Sequence, residues 1–286
     1  MAAKKRKGHK KMRGTAAVEF HSLSSTLSSG RRGRLCYIHP MPNPTRSASR
    51  NPLSWLGGHS QAVLLACLLL VGGITAFVAV ADLVEDGASR RFDERVLRAF
   101  RRPDDPSKII GPAWTEEAAR DMTALGGVAV VTLITLAVTG YLLIEGRYGS
   151  TLLLLGSILG GLVFCSLLKH LFHRDRPDIV PRFSYVFTTS FPSGHSVMSA
   201  IVYLTLGALL ARFVERKRLK FYFLAIAMLI TFLVGVSRVV MGVHWPTDVL
   251  AGWSAGLVWA LLCWLVARYM QRRRLVERAE EPSPGD

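Results

Sequence analysis

Cysteine is scarce in this chain: four in 286 residues, at Cys36, Cys67, Cys165 and Cys263. Three fall inside long apolar stretches and one in a basic N-terminal stretch. None falls in an expected outer loop, so no disulfide framework is expected, and the four read as small packing residues. Dense acidic clusters are missing too, so no magnesium site built from several carboxylates is expected. No apolar run occurs before about residue 62, too late for a clean secretory signal. Short alternating strands are also lacking, which argues against a membrane β-barrel. Acidic residues number 20 against 36 Lys and Arg, and the shortfall is uneven. Glu19 is the one acid among the first 50 residues, beside twelve basic ones.

What the chain does have is apolar length. Half of its residues are hydrophobic and the mean hydropathy is +0.29. A bilayer-spanning helix needs about 20 mostly apolar residues. Six stretches qualify, at 61–83, 122–144, 150–171, 194–213, 219–240 and 248–269. The expected fold class is therefore all-α: a polytopic membrane bundle of six transmembrane helices. Residues 1–60, rich in Ser, Gly, Pro and basic side chains, read as a disordered N-terminal arm. Residues 61–270 form the six-span domain, and 271–286 a basic-then-polar tail. A basic arm beside a membrane either touches anionic lipid or stays solvated, and both readings stand. Nucleic acid is not expected as a partner. Met41 precedes a tail of more usual length and is a candidate start.

A 39-residue connection, Leu83 to Asp121, follows the first span. Within it Phe92, Val96, Leu97 and Phe100 recur at helical spacing among charged residues. Such a helix either lies on the membrane surface or packs on the bundle, and the pattern fits both equally. Thr115 with Glu116 and Glu117 resembles a capped helix start, from which the second span should continue. Gly156, Gly160 and Gly161 in the third span suit close helix packing inside the bundle. Topology follows from the Lys/Arg bias. With both termini cytoplasmic, the inner side holds 23 Lys/Arg against seven acids, and the outer side 13 against 13.

That topology brings three polar islands to one outer face. They are Lys169 to Pro177, Pro192 to His195, and Ser237 to Asp248. Lys169 offers a point charge and Arg176 a planar fork for two phosphate oxygens. At a span end, either residue could instead snorkel to headgroups. Gly194 and His195 open a span whose free N–H groups suit an anion. Ser193 there is either a ligand to that anion or a plain helix cap. Arg238 adds another cation. His244 and Asp248 stand one helical turn apart, which suits a nucleophile or base with an orienting carboxylate, or else a structural hydrogen bond. Pro246 fits the first turn of the sixth helix. His170, His173, Arg174 and Asp175 either tune headgroup choice or line the rim, and Arg182 to Thr189 is a candidate for part of the entrance.

Taken in order, the islands match K-x6-RP, PSGH and SR-x5-H-x3-D at every position: Lys169, Arg176, Pro177, Pro192, Ser193, Gly194, His195, Ser237, Arg238, His244 and Asp248. In this the chain resembles the type 2 phosphatidic acid phosphatase superfamily, which includes membrane lipid phosphatases, glucose-6-phosphatase and vanadium haloperoxidases. The basic arm is not part of the family pattern. The resemblance implies that His244 attacks phosphorus to form a phosphohistidine, that Asp248 orients it, and that His195 protonates the leaving oxygen and then activates water. It implies that Lys169, Arg176, Ser193, the Gly194 amide and Arg238 hold the phosphoryl oxygens, with no metal or other cofactor. The implied substrate is a lipid phosphate: phosphatidate, phosphatidylglycerophosphate or undecaprenyl (pyro)phosphate, cleaved at the extracytoplasmic face. The alternatives are a vanadate-dependent haloperoxidase-like enzyme and a non-catalytic lipid transporter or binder.

Overall fold

The computed structural model describes residues 59–183 and 188–272. Expectations for the basic arm, for the stretch 184–187 and for the tail past 272 lie outside the described residues. Among the described residues the fold is eight helices and no strand: α1 His59–Glu85, α2 Arg90–Ala99, α3 Trp114–Leu125, α4 Val128–Ile144, α5 Tyr148–Leu171, α6 Gly194–Arg212, α7 Lys217–Val240 and α8 Pro246–Arg272. An isolated antiparallel bridge, Arg101 to Ile109, pins the loop after α2.

Five helices (α1, α5, α6, α7 and α8) are long and apolar enough to cross a bilayer, and α3 and α4 meet the same test only as a pair, bent by 45° at the junction. This corrects the expected second span, which is not one continuous helix. Two residues without side chains, Gly126 and Gly127, interrupt it. Their N–H groups take the tight i−3 carbonyls of Thr123 and Ala124. Gly127 then turns to extended backbone before α4 begins. Close packing favours glycine at the break. A Cβ on Gly126 would lie 2.4 Å from a methyl of Val234 on α7. The helix start near Thr115 holds, but the hydroxyl does not cap it: Thr115 Oγ1 donates to the Pro112 carbonyl at 2.6 Å, and the residue before the helix is Ala113.

α6 is central, packed against α5, α7 and α8, while α1 lies along α8. Small residues set these approaches, because they let backbones come close. A Cβ on Gly256 of α8 would sit 2.5 Å from Ala200 Cβ and 2.8 Å from the Val197 carbonyl of α6. On α5, Gly160 and Gly161 face Trp259 and Ile201, whereas Gly156 meets nothing within 4 Å. Two of the three glycines in that stripe thus pack inside the bundle. The large apolar side chains left outside, such as Leu65 and Leu68 on α1 and Leu133 and Leu136 on α4, give the bundle a lipid-like exterior.

α2 packs on the bundle, which decides between its two readings. Leu97 is fully buried, and Val96 and Phe100 join it against Val180, Val239, Trp245 and Val249. Phe92 is the exception, about half exposed. The same cluster ties α2 to the end of α7 and the start of α8, which together carry the third island.

Gly256→Ala should lower the thermal unfolding midpoint in detergent, because overpacking costs about 1–3 kcal/mol. Gly156→Ala, facing open space, should hold or raise it, by up to about 1 kcal/mol of helix propensity. Equal shifts for the two variants would contradict the packing described.

Candidate active site

The three islands meet at one end of the bundle. Lys169 closes α5, Gly194 and His195 open α6, Arg238 lies in the last turn of α7, and His244 and Asp248 flank the start of α8. The turn after α7 delivers His244. Gly242 adopts φ +71°, a left-handed conformation that costs glycine little. The Gly242 N–H bonds to the Val239 carbonyl and the Val243 N–H to Arg238, so both end carbonyls are satisfied. A Cβ on Gly242 would lie 2.8 Å from the Pro181 carbonyl.

The second island is fixed from behind. Phe191 is fully buried, in an edge contact with Phe172 at 5.0 Å and beside Phe77 of α1 at 6.0 Å. The Phe191–Pro192 peptide is cis. Ser193 N–H donates to the Asp248 carbonyl at 3.0 Å, joining the second island to the third. Ser193 makes no side-chain cap to α6; its Oγ accepts from Ser196 at 3.0 Å. The plain-cap reading of Ser193 therefore does not hold. Gly194 leaves room for Lys169, whose Cε would be 3.3 Å from a Cβ there.

His244 is 2 % exposed and Asp248 fully buried. Asp248 Oδ2 accepts from the Trp245 N–H at 2.9 Å and from the Ser190 hydroxyl, and faces His244 Nδ1 at 3.4 Å. On the other side of the ring, Arg176 Nη1 lies 3.2 Å from Nε2. A guanidinium only donates, so Nε2 must accept and the ring proton sits on Nδ1, toward Asp248. Burial pushes His244 down to about 4 against the opposing pull of Asp248, so the ring is neutral at pH 7. A neutral imidazole with its Nε2 lone pair turned to the cations is a competent nucleophile.

The cations are held by backbone oxygens. Lys169 Nζ donates to the Thr189 carbonyl at 3.0 Å. Arg176 donates to the carbonyls of Thr188 at 2.9 Å, Val243 at 2.7 Å and Thr189 at 3.2 Å. Arg238 differs: it is 2 % exposed and its Nε has no hydrogen-bond partner in the protein. A buried donor left unpaired is costly, and an oxyanion in the adjoining cavity would satisfy it.

Six of the eight candidate residues, Lys169, Arg176, Gly194, His195, Arg238 and His244, line one cavity of about 440 Å³. Ser193 and Asp248 stand behind its wall. The rest of that cavity is apolar, walled by Val128, Val131 and Leu136 of α4 and Leu155, Leu159 and Leu162 of α5. A separate polar hollow of about 730 Å³ shares Arg176 and Thr188 with it and adds His173, Asp178 and Arg182. Among the residues with undecided roles, His170, His173 and Asp175 are exposed at the rim, but Arg174 turns inward. Its Nη1 donates to Asp248 Oδ1 at 2.6 Å. Sequence reasoning missed Ser190 and the carbonyls of Thr188 and Thr189. A serine two residues before a PSGH carries no signal by itself, and carbonyls carry none at all. Among the described residues, no group of three His, Cys, Asp or Glu is placed to hold a metal ion.

This geometry agrees with the similarities of the chain to known proteins. A family model described as the PAP2 superfamily matches residues 150–272. A protein named phosphatidylglycerophosphatase B of Bacillus subtilis (strain 168) is 32 % identical over 187 residues, covering 64 % of this chain and 86 % of that protein. A lipid A 1-phosphatase of Rhizobium etli is 29 % identical over 181 residues, 54 % of this chain and 72 % of that one. The crystal structure of a transmembrane PAP2 type phosphatidylglycerolphosphate phosphatase from Bacillus subtilis superimposes with a TM-score of 0.64 at 28 % identity, covering 71 % of this chain and 98 % of that one. The chain belongs to the PAP2 superfamily, as an integral membrane phosphatase.

Ser190→Ala removes one donor from the buried Asp248 carboxylate. A hydrogen bond to a charged group is worth about 1.5–3 kcal/mol, so kcat should fall about tenfold or more with KM nearly unchanged in steady-state assays. An unchanged kcat would remove Ser190 from the site.

Proposed function

We propose that this protein is a lipid phosphatase that cleaves a lipid phosphomonoester or pyrophosphate through a phosphohistidine. One observation carries the reading: a single cavity has cations, His195 and His244 at one end and apolar α4 and α5 side chains along the rest. A phosphate on a hydrocarbon chain fits both halves at once. Its volume, about 440 Å³, is in the range of ligand pockets. The names of the relatives, a phosphatidylglycerophosphatase and a lipid A 1-phosphatase, support a lipid substrate and put phosphatidylglycerophosphate at the head of the panel to be tried.

The geometry supports the following course. The phosphoryl oxygens are gathered by Lys169, Arg176, Arg238 and the Gly194 N–H at the start of α6, where the helix dipole favours negative charge, while Ser193, buried behind them, holds that helix start to Asp248. His244 Nε2 attacks phosphorus while the P–O bond to the lipid breaks. His195, in the same cavity wall, gives its proton to the leaving oxygen. Asp248 holds the Nδ1 proton and compensates the charge that develops on the ring. Water, deprotonated by His195, then attacks the phosphohistidine, breaks the P–N bond and frees inorganic phosphate. The fixed cations stabilise the extra charge of each five-coordinate state, a task that does not call for a metal.

The orientation of the site is likewise part of the proposal. The excess of Lys and Arg in the connections at the far end supports an extracytoplasmic site with cytoplasmic termini. With that orientation the basic arm would face the anionic lipid of the inner leaflet, and this contact belongs to the same proposal.

The test is phosphate release by detergent-purified protein from phosphatidylglycerophosphate, phosphatidate and undecaprenyl phosphate and pyrophosphate. At least one should be hydrolysed, insensitively to EDTA, and His244→Ala should lose about a thousandfold or more in kcat. Equal release by His244→Ala, or loss with EDTA that magnesium restores, would overturn the mechanism.

Leu155→Trp narrows the apolar half of the cavity. KM for a long-chain substrate should rise about tenfold, as expected for the loss of roughly 1.4 kcal/mol of chain contact, while a water-soluble phosphate ester keeps its rate. Equal losses on both substrates would argue against the cavity as the chain's seat.

A further inference from the structure

Asp93 lies on α2, far outside the matched region 150–272, yet it reaches the catalytic end of α8. Its side chain is fully buried. Oδ1 accepts from the Thr247 N–H at 3.0 Å. Oδ2 accepts from the Thr247 hydroxyl and from Arg174 Nη2, both at 2.7 Å. The other nitrogen of the same guanidinium, Nη1, donates to Asp248 Oδ1 at 2.6 Å and to Thr247 Oγ1 at 2.8 Å. Arg174 is further held over the Trp245 ring at 5.4 Å. A continuous chain thus runs from Asp93 through Arg174 to Asp248, whose second oxygen faces His244.

We propose that Asp93 and Arg174 are positioning residues for the His244–Asp248 pair, acting through charge as well as place. This rests on His244 as the nucleophile. Two physical effects support it. The Thr247 N–H belongs to the first turn of α8, which has no partner within its own helix. Asp93 supplies one from outside, at the positive end of the dipole, and so fixes the residue adjoining Asp248. The guanidinium is the second effect. Alone on Oδ1 it would draw Asp248's charge away from the imidazole. Shared with Asp93, it steers the carboxylate while leaving most of that charge to His244. A guanidinium fork can bridge two carboxylates in this way, and an ammonium cannot.

The charges around His244 are Asp248 from α8, Arg176 from the loop after α5, and Arg238 from α7, with His195 and Lys169 on the same cavity. None of these changes in the test. Purified full-length protein is assayed for kcat and kcat/KM against pH, with competent sites counted by trapping the acid-labile, alkali-stable phosphohistidine from substrate labelled in its phosphate. Asp93→Asn leaves the guanidinium uncompensated. His244 then becomes harder to protonate and less nucleophilic, so the acid limb should move down by about one pH unit and kcat per site fall about tenfold, with KM within twofold. Arg174→Gln removes the positive charge, and its acid limb should move up instead. Shifts of opposite sign are not produced by a fold defect, which lowers the number of sites and leaves the limb where it was. If Arg174→Gln does not fold, Arg174→Lys takes its place, and a parent-like kcat per site in that variant overturns the proposal. So do unmoved limbs in Asp93→Asn with normal turnover. His244→Ala run alongside separates the two readings. An active His244→Ala overturns the nucleophile and this proposal together, whereas an inactive one with unmoved limbs overturns this proposal alone.

Discussion

Like charges crowd at one point in this bundle, and holding them there is the constraint on which the site depends. Lys169, Arg176 and Arg238 share the wall of one cavity beside apolar side chains, where repulsion is little screened. The fold answers with oxygens. Carbonyls of Thr188, Thr189 and Val243 take the N–H groups of Lys169 and Arg176, and the buried Asp248 supplies opposite charge nearby. Arg238 Nε alone is left without such an acceptor. The result is a set of donors prepared for an anion, with their geometry set before the anion arrives.

Every other feature of the site serves to hold that arrangement. The left-handed Gly242 turn brings Val243 and His244 back toward Arg176. The Ser193 N–H ties the start of α6 to the backbone of α8. Glycines on α8 let α6 come near enough for those contacts to form. The break at Gly126–Gly127 places the backbone of the bent span against His195, with a Cβ there only 3.4 Å from the ring. Distant parts of the chain are therefore held in register by ordinary close packing, because interiors at crystal-like density transmit small displacements.

Much of this was legible in the sequence, for a reason particular to membranes. Long apolar runs announce their own ends, and polar residues at those ends stand out against them. The spans at α1, α5, α6, α7 and α8 match their expected ranges to within about three residues. The eight candidate residues are found at one end of the bundle for the same reason. The bent span was not legible, since two glycines in an apolar run look alike whether they pack inside a straight helix or break it. Nor was the inner face of α2. Asp93 lies in a charged stretch with Arg90, Arg91, Glu94 and Arg95, and nothing local marks it as the buried one. Arg174 stands out in the sequence as tuning headgroup choice or lining the rim, and neither reading turns it toward Asp248, because a side chain's direction in a loop depends on partners that sequence does not bring together.

The contact between Arg176 Nη1 and His244 Nε2 has a consequence for chemical selectivity. In the proposed mechanism the Nε2 lone pair is the one that attacks phosphorus, and here it accepts a hydrogen bond from Arg176. A neutral electrophile drifting into the cavity has nothing to offer the guanidinium in exchange, so the imidazole stays masked. An oxyanion does have something to offer: it draws the N–H toward itself and uncovers the nitrogen in the same movement. On the proposed mechanism the nucleophile would thus be released by the group it is meant to attack, and reactivity confined to the time when that group is bound.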